Sequence, residues 1–229
     1  MKEKTNHYYL NVPEGYVTKK TIDAKDKKTV IILNLVVILI SALVGVAFYF
    51  IKPFSFKEIF LEGSIRTRFL VELILIASLF GYIILHELTH GIFYKIFTHE
   101  KLKFGITLSV AFCGVPNAYV KKWPAFIAAI APLAIYSIIF LSVFFVTTNI
   151  YVHFLAYVLF IVHFGGCAGD MWVCGYLLFK SDKSVIVNDD GAKQVFYEYS
   201  AEEAKRIREQ KLNEGVLDEG NLSTTSSGY

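Results

Sequence analysis

Charge is what this chain has least of. Only 19% of its 229 residues are Asp, Glu, Lys or Arg, against 55% apolar and 16% aromatic, and the mean hydropathy is +0.48. That balance excludes an ordinary soluble domain and puts the chain in the membrane class. Cysteine is also scarce. Cys113, Cys167 and Cys174 form an odd set without a short-spaced pair, which excludes a disulfide framework. The last two lie in apolar sequence, where a free Cys packs as a small hydrophobe. A cleaved signal peptide is missing too: the first 28 residues are polar, and the apolar run after them is too long for a signal core, so it stays as an anchor. No internal repeat is visible, and a net charge of +3 gives no basis for a nucleic-acid partner.

What the chain has in quantity is long uncharged runs. Thr29 to Ile51 is free of charge between Lys28 and Lys52, long enough to cross about 30 Å of hydrocarbon. A second span covers about 69–97. The stretch from Trp123 to Gly169 carries no charge at all, too long for one crossing, and Thr147-Thr148-Asn149 divides it into spans of about 125–146 and 151–179. The expected architecture is all-α, with four membrane helices in one domain over 29–180. Residues 1–28 form a polar N-terminal tail with a turn at Pro13-Glu14-Gly15. A strand-like and helical polar tail covers 181–213, its helix opened by a capping box at Ser200, and 214–229 is a disordered end. Between spans two and three, Val, Thr, Phe and Tyr alternate with Gly, Asn and Pro, which predicts a hairpin-like loop. Ser41 and Gly45 form a small-xxx-small pair suited to close helix packing.

The basic residues orient this bundle. Seven Lys lie in the first 28 residues, seven Lys or Arg follow Phe179, and the 98–123 loop has Lys101, Lys103, Lys121 and Lys122. Only the 52–68 loop, with Lys52, Lys57, Arg66 and Arg68, dissents. The positive-inside rule then places both termini in the cytoplasm.

Within the second span stands His86-Glu87-Leu88-Thr89-His90. Two His four residues apart on a helix face the same side, about 6 Å apart along the axis, and their imidazoles can converge on one Zn²⁺. The Glu after the first His can act as base on a metal-bound water. Ionisable groups inside lipid are expensive, so they mark function. A catalytic zinc site needs a third protein ligand. The short extended zincin motif fails, because Phe93 and Ile96 hold its Gly and His positions. His99, His153, His163, Cys167 and Asp170 are the candidates. Asp170 leads. It is the only charge between Lys122 and Lys180, and it lies about 15 Å from its cytoplasmic helix end, against about 14 Å for His86. His163, Cys167, Asp170 and Cys174 share one helical stripe. His163 is about 10 Å further up the axis, as a ligand-supporting, oxyanion-facing or packed polar residue. Cys167 is the reserve ligand, and His99 is solvated. Gly165, Gly166 and Gly169 would let another backbone approach the site. Asn117 in the loop is either a turn residue or a contact to substrate backbone.

The chain resembles the zincin peptidases of bacterial membranes, small four-span proteins similar in layout to the site-2 protease class of intramembrane metalloproteases. HELTHG at 86–91, Pro132 in AIAPLA and GGCAGD at 165–170 carry the resemblance, which covers roughly residues 69–200. It implies Zn²⁺ as cofactor, His86, His90 and Asp170 as ligands, Glu87 as base and a bacterial inner-membrane location. Gly169 and Met171 flank the Asp where the site-2 pattern differs, and His163 stands near an expected Asn. The expected function is therefore zinc-dependent hydrolysis of a peptide or membrane-protein substrate at or within the bilayer. The loop over 102–120 would lie against the membrane and pair with an extended substrate strand. A metal-binding membrane protein without catalysis, an assembly factor or transport accessory, is the alternative.

Overall fold

A computed structural model describes residues 7–24, 26–62, 64–106 and 111–213. The expected disordered end, 214–229, and residues 107–110 lie outside them. Three helices are long and apolar enough to cross a membrane: α1 (Lys27–Ile51), α2 (Ile65–Thr98) and α3 (Lys122–Val146). A fourth crossing is available from α4 (Ile150–Gly166) and α5 (Ala168–Phe179), which together form a path bent by 44°. The bend corrects the expectation of one straight helix over 151–179. Its cause is local. At the Gly165-Gly166 pair, Cys167 adopts φ −74°, ψ 5° and its N–H reaches back to both Gly165 and His163 carbonyls, a tightened last turn of the kind that kinks helices.

The starts of α1, α2 and α4 are fixed by side chains at the cap. Asp26 accepts from the Thr29 N–H, Ser64 from the Thr67 N–H, and Asn149 from the Tyr151 and Val152 N–H groups, satisfying donors that a helix start leaves open. The outer faces of the bundle are apolar and bare: Ile38, Leu43, Phe50, Phe69 and Ile84 are all more than 60% exposed. Such a surface is tolerated in lipid and not in water. The helices close on each other where side chains are small. A Cβ at Gly165 would lie 2.0 Å from Ser41 Oγ and 3.0 Å from the Val37 carbonyl, and the Tyr157 hydroxyl donates to the Gly45 carbonyl at 2.8 Å. Ser41 and Gly45 thus form the face on which α4 packs.

The protein is not all-α. Five antiparallel strands form one sheet in the order β1-β5-β6-β7-β2, with β1 (Tyr8–Tyr9) and β2 (Tyr16–Asp23) from the N-terminal tail, β5 (Tyr119–Lys121) from the loop after α2, and β6 (Ile186–Asp189) and β7 (Lys193–Tyr199) after α5. Tyr8 pairs with Val120, Tyr119 with Asn188, Val187 with Phe196, and Tyr16 with Tyr199. The expected hairpin is present as β3 (Lys103–Ile106) and β4 (Ala111–Gly114), paired from Lys103↔Gly114 to Ile106↔Ala111. Val120, Val187 and the fully buried Phe196 pack with Tyr94, Ala125, Ala128 and Leu177 into one core, which seats the sheet on the ends of α2, α3 and α5. The sheet draws strands from before α1, between α2 and α3, and after α5, so these three polar segments share one face of the bundle.

The opposite face gives partners to three of the four dissenting cations. Lys52 Nζ donates to the carbonyls of Phe144, Phe145 and Thr147 at 2.8, 3.2 and 2.8 Å. It caps α3, where carbonyls are unpaired and the helix dipole is negative. Arg68 donates to the Phe60 carbonyl, and Lys57 pairs with Glu62.

Candidate metal centre

Four residues of α2, spaced by four, make a stripe: Tyr82, His86, His90 and Tyr94. All are buried. The break between α4 and α5 turns Asp170 toward the middle of that stripe. His86 Nε2 lies 3.3 Å from Asp170 Oδ2 and His90 Nε2 lies 3.4 Å from Asp170 Oδ1. The two Nε2 atoms are 3.2 Å apart. Ligands about 2.0–2.1 Å from a tetrahedral zinc are separated by about 3.3 Å along each edge, so the three donor groups stand at the spacing such an ion requires. The donor types fit as well, two imidazoles and a carboxylate being a usual zinc set.

The outer nitrogens settle how the rings are held. His90 Nδ1 is 2.8 Å from the Ala128 carbonyl, which can only accept. The proton is therefore on Nδ1, and Nε2 keeps its lone pair for a metal. That carbonyl is available for a reason written in the sequence. Residue 132, which would donate its N–H to the Ala128 carbonyl in a regular helix, is Pro132, buried inside α3, and proline has no N–H. His86 Nδ1 is 2.9 Å from the Tyr82 hydroxyl.

Glu87 is half-buried and lines the same cavity as His86, His90 and Asp170. The cavity holds about 460 Å³. Leu33, Asn34, Val37 and Ser41 of α1 form one wall, Ala111 to Cys113 of β4 another, and Asp189 and Gln194 close the end nearest the sheet. Gly166 and Gly169 also line it. A Cβ at Gly166 would meet nothing within 4 Å, and one at Gly169 only Leu33 at 4.0 Å. These two glycines leave open space and do not receive a backbone, which corrects the expectation for them; Gly165 alone does.

The remaining expected residues separate. His163 is fully buried and touches the Tyr82 hydroxyl at 2.8 Å and Ser137 Oγ at 3.0 Å. Cys167 Sγ lies 3.6 Å from His163 Nδ1. His86, His163 and Cys167 make a second group with metal-ligand spacing, but the Tyr82 hydroxyl already bridges the two histidines. Asn117 is exposed on the turn between β4 and β5, outside the cavity lining; Asn188 holds that turn through the Pro116 and Ala118 carbonyls. His99 is exposed and ends α2 in the left-handed conformation at φ 55°. His153 is buried among Phe54 and Phe144.

Two supports have no counterpart in the sequence reading. Asp189 is 2% exposed and accepts from the Tyr94 hydroxyl at 2.7 Å, the Gly191 N–H at 2.7 Å and Gln194 Nε2 at 2.8 Å. It ties the β6–β7 turn to α2 one turn past His90. Burial pushes its carboxyl up to about 6 against these three donors. Burial likewise pushes the Cys113 thiol up to about 12, so it stays protonated. Gly91, the residue after the motif, is where the hairpin lands: a Cβ there would be 2.9 Å from Phe104 and 3.2 Å from Cys113 Sγ.

Fold and site together define a bundle of membrane-length helices that gathers two histidines and an aspartate beside a half-buried glutamate. Residues 79–185, the part that carries the motif, Pro132 and Asp170, match the family model described as "Putative zincin peptidase". No curated protein and no solved structure matches the chain.

Proposed function

We propose that this protein is a zinc-dependent membrane metallopeptidase that cleaves peptide bonds at or within the bilayer. The observation that carries the reading is the mutual spacing of His86, His90 and Asp170 at 3.2–3.4 Å with Glu87 on the same cavity. Zn²⁺ held by these residues supplies Lewis acidity to a carbonyl and to water. Glu87 has no hydrogen bond or ion pair among the described residues. It is free to take a proton from the attacking water and return it to the leaving amine. The cavity wall of Leu33, Val37 and Phe112 favours an apolar peptide segment, and β4 offers strand backbone beside it. The sheet face collects the Lys-rich segments, so the positive-inside rule assigns it, with both termini, to the cytoplasm. A cell-membrane location in a bacterium follows from the resemblance.

The test is Glu87→Gln in cells, with substrate accumulation followed by membrane and secretome proteomics. The variant should keep zinc and fold while losing about 10²–10⁴ in rate, and His86→Ala, His90→Ala and Asp170→Ala should each lose zinc. If Glu87→Gln cells match wild type while His86→Ala cells show a phenotype, the protein acts by holding metal and is not a peptidase.

A further inference from the structure

Four polar side chains in the middle of the bundle form an unbroken chain that starts at a ligand. His86 Nδ1, the Tyr82 hydroxyl, His163 and Ser137 Oγ are linked by contacts of 2.9, 2.8 and 3.0 Å. The members come from α2, α4 and α3, so the chain crosses the bundle. We propose that Tyr82 and His163 are positioning residues that receive the Nδ1 proton of His86, so that its Nε2 can face the metal as a lone pair.

The argument is a count of hydrogens. His90 needs no such device, because its partner is a carbonyl. The partner of His86 is a phenol, which can donate or accept, so the pair alone leaves two tautomers open. The row can run in either direction with every group satisfied, and a lone pair on His86 Nε2 goes with only one of them, in which His163 is the acceptor. Its Nδ1 takes the single Tyr82 hydrogen, and its own proton then sits on Nε2, against Ser137 Oγ. Cys167 Sγ lies 3.6 Å from the same Nδ1. With its hydrogen given away, the Tyr82 oxygen can only accept, and His86 Nδ1 must donate. Each of these buried groups then has a partner of the correct polarity, whereas reversing the whole row would put the His86 proton on Nε2, where the metal has to bind. The alternative use of His86, His163 and Cys167 as a second metal site would require displacing the Tyr82 hydroxyl and would break this order.

The inference rests on the metal site described above, and the experiment separates the two. Zinc affinity of the full-length protein in detergent is measured by chelator competition, and the Co²⁺-loaded protein is followed by visible absorption. Tyr82→Phe keeps the ring and removes the oxygen; it should weaken zinc about 10- to 100-fold and shift the Co²⁺ bands. His163→Leu should do the same. His163→Gln, whose Oε1 accepts from Tyr82 and whose amide donates to Ser137, should restore affinity to within a few-fold of wild type. Equal affinities for His163→Gln and His163→Leu, or for Tyr82→Phe and wild type, would overturn the positioning role while leaving the site intact. Two zinc ions per wild-type chain, falling to one in His163→Leu, would overturn it in favour of a second metal site. A wild-type chain that binds no zinc overturns the metal reading itself.

Discussion

Pro132→Ala should separate helix stability from metal affinity. Pro132 is fully buried in the interior of α3, where a proline costs about 3 kcal/mol relative to alanine. The substitution returns the N–H that closes the helix on the Ala128 carbonyl. It also removes two buried methylenes, a loss of about 1.6 kcal/mol at 0.8 per CH₂. The net change is a gain of about 1 kcal/mol in the fold. The same new N–H competes for the oxygen that His90 Nδ1 reaches at 2.8 Å. A carbonyl can accept twice, so the ring is not expelled, but its bond weakens and turns. Zinc affinity should fall about 3- to 10-fold, at or below the lower end of the usual effect of removing a ligand's supporting bond. Thermal unfolding of the apo protein in detergent and chelator competition read the two effects on one sample. Unchanged zinc affinity with raised stability would refute the link between Pro132 and His90, leaving the proline to be explained by packing alone.

Asp189→Asn should flatten the pH dependence of the fold: a carboxyl raised to about 6 from 3.8 contributes stability that is complete below about pH 4 and lost as pH rises through 6, about 3 kcal/mol in all. Wild type should therefore lose stability relative to the variant between pH 4 and 8, and parallel melting curves would refute it. Lys52→Met should cost about 2 kcal/mol, since three α3 carbonyls lose their cation, and should lower the melting temperature without touching zinc. Gly91→Val should cost about 1–3 kcal/mol by overpacking and lift the β3–β4 hairpin from α2, read as faster proteolysis between residues 103 and 114.

The parts of the site that were legible are those written locally or as a solitary exception. His86, Glu87 and His90 lie within one helical turn and a half, so spacing alone brings them together. Asp170 was found because one carboxylate in a long uncharged run has to be accounted for. Tyr82 and Tyr94 were within reach of the same rule: each is four residues from a motif histidine on the same stripe, and extending the period one turn in both directions would have named them. Pro132 was seen as part of a resemblance; its physical role needed the identity of the residue facing the carbonyl it frees.

What could not be read is what depends on distant pairing. The sheet joins Tyr16 to Tyr199 and Tyr8 to Val120, and the polar sequence Tyr16–Asp23 has no buried face to give a period-two signal, being exposed or half-buried throughout. Asp189 looks, in sequence, like half of a solvated acidic pair with Asp190. It is instead a buried acceptor because the β6–β7 turn is pressed against α2, where the backbone of Gly114 leaves no room for a Cβ beside Gly191. The sheet therefore does for the metal helix what local sequence cannot. It fixes the C-terminal end of α2 through Tyr94, while Pro132 and Tyr82 orient the two histidines from either side. Loosening the sheet at Asp189 should accordingly reach the site through the position of α2, not through any contact with the metal.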